Sequence, residues 1–419
     1  MKGTEVNLVR TSILSFIATL VKMIAGLIIN KAIALFIGPG GLAVIGQFQN
    51  VSTLIQTVAQ GGINAGVTKY TAEFNAEEAR IKQLWSTAIK LTVTFTTIVS
   101  IVLLISSKQI SYYVFNTTDN YFIFIIFAFT LLLFTVNQLL LSILNGLKQI
   151  KTFITINIAQ SVCSLLFTSL LIYLYHLEGA LVALVTNQSI VFVILLWKLR
   201  NHNIISLEKF KDKWQPAQAK VLFKYSLMAL VTACSLPLSQ IVVRDYIANT
   251  LSWKYAGYWQ AMTYISTTYL TVITVALATY YLPRLSEISD KLELKREIYN
   301  GYKLIIPFVS ILAFAVYMLR DLALWLLFTP EFKPMFVLFK WQMVGDVIKI
   351  AAWLISYLML AKAMTKTFII TEILFAISFS GLSIFFLNVF GFVGLSYAFA
   401  ANYFLYFVAM IILMRKHFY

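Results

Sequence analysis

The chain has 419 residues, 60% hydrophobic and only 12% charged. Soluble domains carry about a quarter charged residues, so a soluble globular fold is excluded. The net charge of +16 sits mostly in short loops between apolar runs, which speaks of membrane topology and not of nucleic acid.

Apolar runs of about 20 residues recur along the chain, each enough to cross a ~30 Å hydrocarbon core as a helix. A strand-built barrel would instead show alternating segments of about 10 residues. The expected fold is therefore an all-α polytopic membrane protein. Twelve spans are predicted, at residues 9–36, 42–66, 85–106, 121–145, 153–175, 179–198, 223–248, 255–281, 304–320, 337–361, 367–388 and 394–414. The first apolar run extends well past the length of a signal-peptide core and has no small-residue cleavage site after it, so it reads as a retained helix.

Span one carries Lys22 at its middle and Lys31 nine residues on. That separation is about 13 Å along a helix and about 2.5 turns, so the two lysines point to opposite faces unless the helix bends at Gly26. A charge at the bilayer centre costs roughly 2.5–3.5 kcal/mol on insertion scales, and such groups pair or face a cavity. Lys22 reads either as a buried, partnered lysine or as a cavity cation. Lys31 reads as a snorkelling anchor or as a second cavity residue. Span two is unusually polar, with Gln47, Gln49, Asn50, Gln56, Gln60 and Asn64. Lipid satisfies no amide, so Gln49, Gln56 and Asn64 are expected to line a wet cleft beside span one.

The longest hydrophilic stretch, residues 198–224, splits the chain into an N-terminal six-helix lobe (1–200), a linker (201–222) and a C-terminal six-helix lobe (223–419). Ile45–Thr53 (IGQFQNVST) and Ala256–Tyr264 (AGYWQAMTY) share Gly46/Gly257, Phe48/Trp259 and Gln49/Gln260, which suggests a duplication. Span seven carries Arg244, a candidate outer-cavity cation, with Asp245 beside it but about 100° away around the helix. Gln260 opens span eight as a further candidate for the cleft lining. In span ten, Asp346 and Lys349 are three apart and share a face. They read as a self-neutralising pair or as a proton carrier beside a substrate-binding cation. Glu372 places another acid inside span eleven, and it joins Asp346 and Asp245 as candidates for proton or ion coupling.

Most lysines and arginines fall in one set of loops together with both ends, while the opposite set holds only Lys108, Lys254, Arg320, Lys333 and Lys340 among its loop residues. This bias places both termini in the cytoplasm. No GxxxxGK loop, HExxH, CxxC or Ser-His-Asp grouping is present, so no catalytic residue, metal site or cofactor is expected. Cys163 and Cys234 lie in apolar runs and read as packing residues.

Five strings carry a family resemblance: Thr19–Leu42 (TLVKMIAGLIINKAIALFIGPGGL), Asn64–Tyr70 (NAGVTKY), Tyr280–Ile288 (YYLPRLSEI), Leu319–Phe332 (LRDLALWLLFTPEF) and Trp341–Ile350 (WQMVGDVIKI). In these strings the chain resembles the Wzx-type flippases of lipid-linked oligosaccharides, most of all their enterobacterial common antigen branch, within the multidrug/oligosaccharidyl-lipid/polysaccharide exporter superfamily. The resemblance implies twelve helices in two lobes with a V-shaped central cavity, as in multidrug-and-toxin extruders, and alternating access without ATP. It implies an undecaprenyl-pyrophosphate-linked oligosaccharide as cargo, moved between leaflets of a bacterial inner membrane and driven by the ion gradient. The expected partners are that glycan lipid, the phospholipid bilayer, and a polysaccharide polymerase with its chain-length regulator; nucleic acid is not expected, and a monomer is. By charge and depth in the spans, and not by the resemblance, Lys22, Lys31, Arg244 and Lys349 are the candidate headgroup cations. A multidrug exporter of the same fold is the alternative, disfavoured by the excess of cations over acids in the spans. A membrane glycosyltransferase or polymerase is disfavoured by the short outer loops.

Overall fold

A computed structural model of the chain describes residues 8–75, 77–200, 207–288, 290–362 and 364–418. The described residues form helices joined by short turns. In chain order these are α1 (Leu8–Phe36), α2 (Gly38–Ala59), α3 (Asn64–Glu73), α4 (Glu78–Ile105), α5 (Ser107–Phe115), α6 (Tyr121–Gly146) and α7 (Ile150–Leu199). They continue as α8 (Pro216–Thr250), α9 (Trp253–Ala276), α10 (Leu282–Glu287), α11 (Lys291–Met318), α12 (Arg320–Leu327), α13 (Phe336–Ala361), α14 (Thr365–Phe390) and α15 (Gly394–Phe418). Helices are what lipid permits, because each bonds its own backbone.

Each of the twelve expected spans overlaps a helix, with α7 supplying two, so the helices are consistent with twelve crossings of a multi-pass membrane protein. Among the described residues, seven helical stretches are by themselves long and apolar enough to cross. Helix α11 starts well before its expected span at residue 304. Its first turns are charged, but Leu294 and Ile298 are buried one turn apart, and Asp290 caps it by accepting from the Glu293 N–H at 2.8 Å. Hydropathy alone ends a span where charge begins; the helix continues because one face still packs.

The chain divides into two compact units, one of residues up to Ile37 with Gln47–Cys234, the other of Gly38–Gly46 with Ser235 to the end. The boundary falls inside α8, further along than the expected lobe start at 223. Of the expected linker, residues 201–206 lie outside the described residues. The rest is strapped to α4 in the first unit. Phe210 stacks on Trp85 with ring centroids 5.7 Å apart, and the Asp212 N–H donates to Ser86 Oγ at 2.7 Å. Lys90 Nζ donates to the Asp212 carbonyl at 2.6 Å. The start of α8 then packs on α3, with Leu222 against Gly66, which is why its first turns group with the first unit.

The order of long and short helices repeats: two long helices, the second followed by a short one (α3, α10), a third long helix with its own short follower (α5, α12), then three more long arms. From Tyr121 to Leu199 the correspondence runs at one constant offset onto Phe336 to Met414. Helix α6 maps onto α13 end to end, and α7 begins where α14 does. The entries to α6 and α13 match in kind: Lys108 Nζ lies over the Tyr121 ring at 5.5 Å, and the Arg320 guanidinium over the Phe336 ring at 5.5 Å.

The turn between the last two arms is the same device twice. His176 breaks α7 at φ 48°, and its counterpart Gly391 turns at φ 66°. Three residues on, Gly179 and Gly394 lie so close to the preceding arm that a Cβ would sit 2.0 Å from the Leu171 or the Phe386 carbonyl oxygen. Gly179→Ala and Gly394→Ala are each expected to destabilise their unit by about 1–3 kcal/mol, the usual range for overpacking. Thermal unfolding in detergent measures this, and an unchanged midpoint for both variants contradicts the turn.

The glycines matched in sequence also have a packing reason. Gly46 makes room for the Gln260 side chain, and Gly257 for the Pro39 carbonyl, so the start of α2 and the start of α9 lock together within the second unit.

Candidate functional site: a polar cavity in each unit

The first unit holds a cavity of about 700 Å³ that is open along part of its boundary. Helix α1 contributes Thr19, Lys22 and Gly26, at helical spacing along one face. Helix α6 contributes Gln138, Ser142 and Asn145; the first arm of α7 contributes Asn157, Gln160, Ser161 and Ser164; the second arm adds Asn187. Each set recurs at three or four residues, so otherwise apolar helices each turn one polar stripe inward.

Hydrogen bonds hold these side chains in place. Gln160 Nε2 donates to Asn137 Oδ1 at 3.4 Å, tying α7 to α6. Asn187 Nδ2 donates to Ser164 Oγ and, at 3.4 Å, to Thr168 Oγ1, tying the two arms of α7 together. Thr68 Oγ1 donates to the Ser142 carbonyl at 3.1 Å. Among the described residues lining this cavity there is no Asp or Glu, and Lys22 supplies its positive charge. The Lys22 side chain stays accessible inside it. Such a wall offers amide and hydroxyl groups to a polyhydroxylated guest and one ammonium to an anion.

The second unit holds a smaller cavity of about 140 Å³, between α8, α9, α13, α14 and α15. The constant offset pairs the linings: Gln138 with Trp353, Asn157 with Glu372, Gln160 with Phe375, Ser164 with Phe379, and Asn187 with Asn402 all line their own cavity. The two cavities thus occupy equivalent positions with different chemistry. Amides and hydroxyls in the first become aromatic rings and an acid in the second.

Asp346 is fully buried beneath the second cavity. It accepts from Ser266 Oγ at 2.6 Å and from Tyr269 Oη at 2.8 Å, and Gln342 Nε2 donates to that serine at 3.4 Å. A buried carboxyl needs such donors, because an unsatisfied polar group costs several kcal/mol. Lys349, on the same face of α13, carries its ammonium to three rings: Trp353 at 4.8 Å, Tyr403 at 5.4 Å and Phe399 at 6.0 Å. No direct ion pair joins Asp346 to Lys349, although the two opposite charges lie near enough on one face of α13 to act on each other.

The remaining expected site residues are placed apart. Arg244 is buried, donating to Gln260 Oε1 at 2.5 Å, with its guanidinium 5.5 Å from the Trp259 ring. The arginine and the glutamine therefore meet each other. Asp245 accepts from Asn249 Nδ2 at 3.1 Å on the next turn of α8. Lys31 is half-buried and lies outside the cavity lining, on a different face from Lys22, as their spacing requires. Gln49 is exposed, Gln56 is half-buried, and Asn64 donates to Gln60 Oε1 at the start of α3; none lines either cavity. Glu372 does line the second. The cavity amides on α6 and α7 escaped the sequence reading. Their periodic spacing in apolar runs was the available signal.

Membrane-length helices packed around internal cavities define a multi-pass membrane protein of a known fold. In fold the chain is similar to a multidrug resistance MATE family transporter of the MOP superfamily in its inward-facing conformation (TM-score 0.82, 12% identity, 95% of this chain and 94% of that one). It is also similar to a MOP superfamily transporter from Pyrococcus furiosus, described as having a binding pocket of reverse polarity (TM-score 0.72, 14% identity, 98% and 95% covered). The family model for polysaccharide biosynthesis proteins matches residues 8–289, and the chain belongs to that family. Its sequence is 32% identical over 404 residues to a protein of Escherichia coli (strain K12) named lipid III flippase, covering 96% of each chain.

Proposed function

We propose that this protein is a flippase that carries an undecaprenyl-pyrophosphate-linked oligosaccharide, a lipid III or O-antigen-like unit, from the inner to the outer leaflet of the bacterial inner membrane. The single observation that carries the reading is the cavity of the first unit, which joins Lys22 to a wall of amides and hydroxyls without an acid. The relatives named lipid III flippase support the cargo class. Pyrophosphate and sugars cannot enter hydrocarbon unaided, whereas the polyprenyl tail can stay in lipid. Lys22 meets the pyrophosphate, and the stripes of α6 and α7 replace the water of the first sugars. A volume of about 700 Å³ falls in the range that encloses a small-molecule-sized group, so the cavity takes the charged linkage and the nearest sugars.

Transport proceeds by alternating access between two six-helix halves. The ion gradient drives it, with Asp346 and Glu372 as the acids inside the second half. Both termini face the cytoplasm, following the loop charges. The protein works as a monomer without chemistry of its own and hands its cargo to a polymerase with a chain-length regulator.

The test is reconstitution of the pure protein in liposomes with a fluorescent polyprenyl-pyrophosphate glycan. Flipping is expected, faster under an imposed proton or sodium gradient. Failure to flip an authentic glycan under both gradients, with export of a cationic dye instead, would show a drug exporter.

A further inference from the structure

The second cavity has the composition of a site for an organic cation. Its walls include Trp353, Phe399 and Tyr403, and Glu372 lines it from α14. Rings that present their faces to an ammonium, with an acid nearby, are how proteins hold quaternary and primary ammonium groups. Here the ammonium is already present. Lys349 Nζ lies 4.8 Å from the Trp353 centroid, 5.4 Å from Tyr403 and 6.0 Å from Phe399. The side chain is buried, and the counterpart of Lys349 in the first unit is a buried phenylalanine, Phe134. The cation thus belongs to this cavity alone and not to the duplicated framework.

We infer that the second cavity is a cation cage whose occupant is the protein's own Lys349, and that this tethered ammonium keeps free organic monocations out of a site that would otherwise bind them. Lys349 is then a specificity-determining residue. Its ammonium is committed to rings and so is not a ligand for the headgroup. The ammonium sits where a free cation would have to sit, and like charge repels one brought beside it. Removing the side chain empties the cage without touching the first cavity. The inference holds whatever cargo the first cavity carries.

The experiment is binding of tetramethylammonium to the pure full-length protein, read by tryptophan fluorescence and by thermal shift against equal sodium chloride. Wild type is expected to show no saturable response. K349A is expected to bind at least on the order of tenfold more tightly than wild type, and K349A/W353A to lose that gain. K349M removes the charge but keeps most of the stem, and is expected to gain less than K349A while still binding more tightly than wild type. Should K349A be recovered only in poor yield, K349Q makes the same comparison with the same outcomes. The inference is overturned if K349A or K349Q binds no more tightly than wild type. Equal binding by K349A and K349A/W353A also overturns it, since the site then lies elsewhere. Glycan flipping by wild type is a separate measurement, so failure of the cargo reading and failure of the cage are told apart.

Discussion

Lys22→Ala is expected to weaken binding of a pyrophosphate-linked glycan by about 10- to 150-fold and to slow its flipping accordingly. The estimate comes from the worth of a hydrogen bond to a charged group, ~1.5–3 kcal/mol, converted at ~1.4 kcal/mol per tenfold. The effect is large because the amides and hydroxyls around Lys22 bring no second positive charge to the cavity lining. Stability is expected to change little, because the side chain is accessible within a roomy cavity and is not packed in a core. Lys22→Arg keeps the charge and is expected to retain most of the activity, although its planar fork approaches phosphate differently. Flipping assays on the three proteins, with thermal unfolding as control, measure this. A Lys22→Ala protein that flips at the wild-type rate removes the lysine from the site, and with it the main support for an anionic headgroup in the first cavity.

Asp346→Asn and Asp346→Ala are expected to separate structure from coupling. The carboxyl is buried and holds Ser266 and Tyr269 by short hydrogen bonds. Alanine leaves both hydroxyls without this acceptor, at about 1–3 kcal/mol for each that finds no replacement. It also opens a space at the junction of α9 and α13. Asparagine keeps an acceptor oxygen and nearly the same volume, so it is expected to fold close to wild type while carrying no exchangeable charge. If Asp346 is the coupling acid, Asp346→Asn flips glycan at the rate of wild type without a gradient and gains nothing from one. If the variant still accelerates under a gradient, coupling runs elsewhere, with Glu372 the next acid in the same unit. If Asp346→Ala is as stable as wild type, the hydroxyl pair is not held by the carboxyl as described.

Much of the architecture was legible before any coordinates. The apolar runs marked every arm, because in lipid a run of sufficient length has one stable conformation. The matched Gly46 and Gly257 pointed to a duplication for a sound reason, since both sit where a Cβ would collide with the neighbouring helix start. The stronger trace of the duplication, from Tyr121 and Phe336 onwards, was hidden. Leucine, isoleucine, phenylalanine and valine replace one another freely on lipid-facing surfaces, so similarity fades while helix lengths and turns persist. His176 and Gly391 look unrelated as letters, yet they make the same turn.

The candidate site was legible in part. Lys22, Asp346, Lys349 and Glu372 stood out because a charge in hydrocarbon demands an explanation. Their groupings did not follow from position along the chain. Span two, by its count of amides, was expected to line a wet cleft between the bundles; its Gln49, Gln56 and Asn64 lie outside the two cavities within the units. The amides that do line the first cavity are spread over α6 and both arms of α7, two or three to a stripe.

By itself, then, the sequence determined the all-helical membrane class, the span positions and the charges that need partners, because these depend on local length, hydropathy and the cost of charge in oil. Only the tertiary structure decided which polar groups share a cavity. It also decided that Arg244 bonds Gln260 and that Lys349 turns to aromatic rings while Asp346 turns to hydroxyls. Those choices are made between helices distant in sequence, where packing selects one partner among many of similar chemistry.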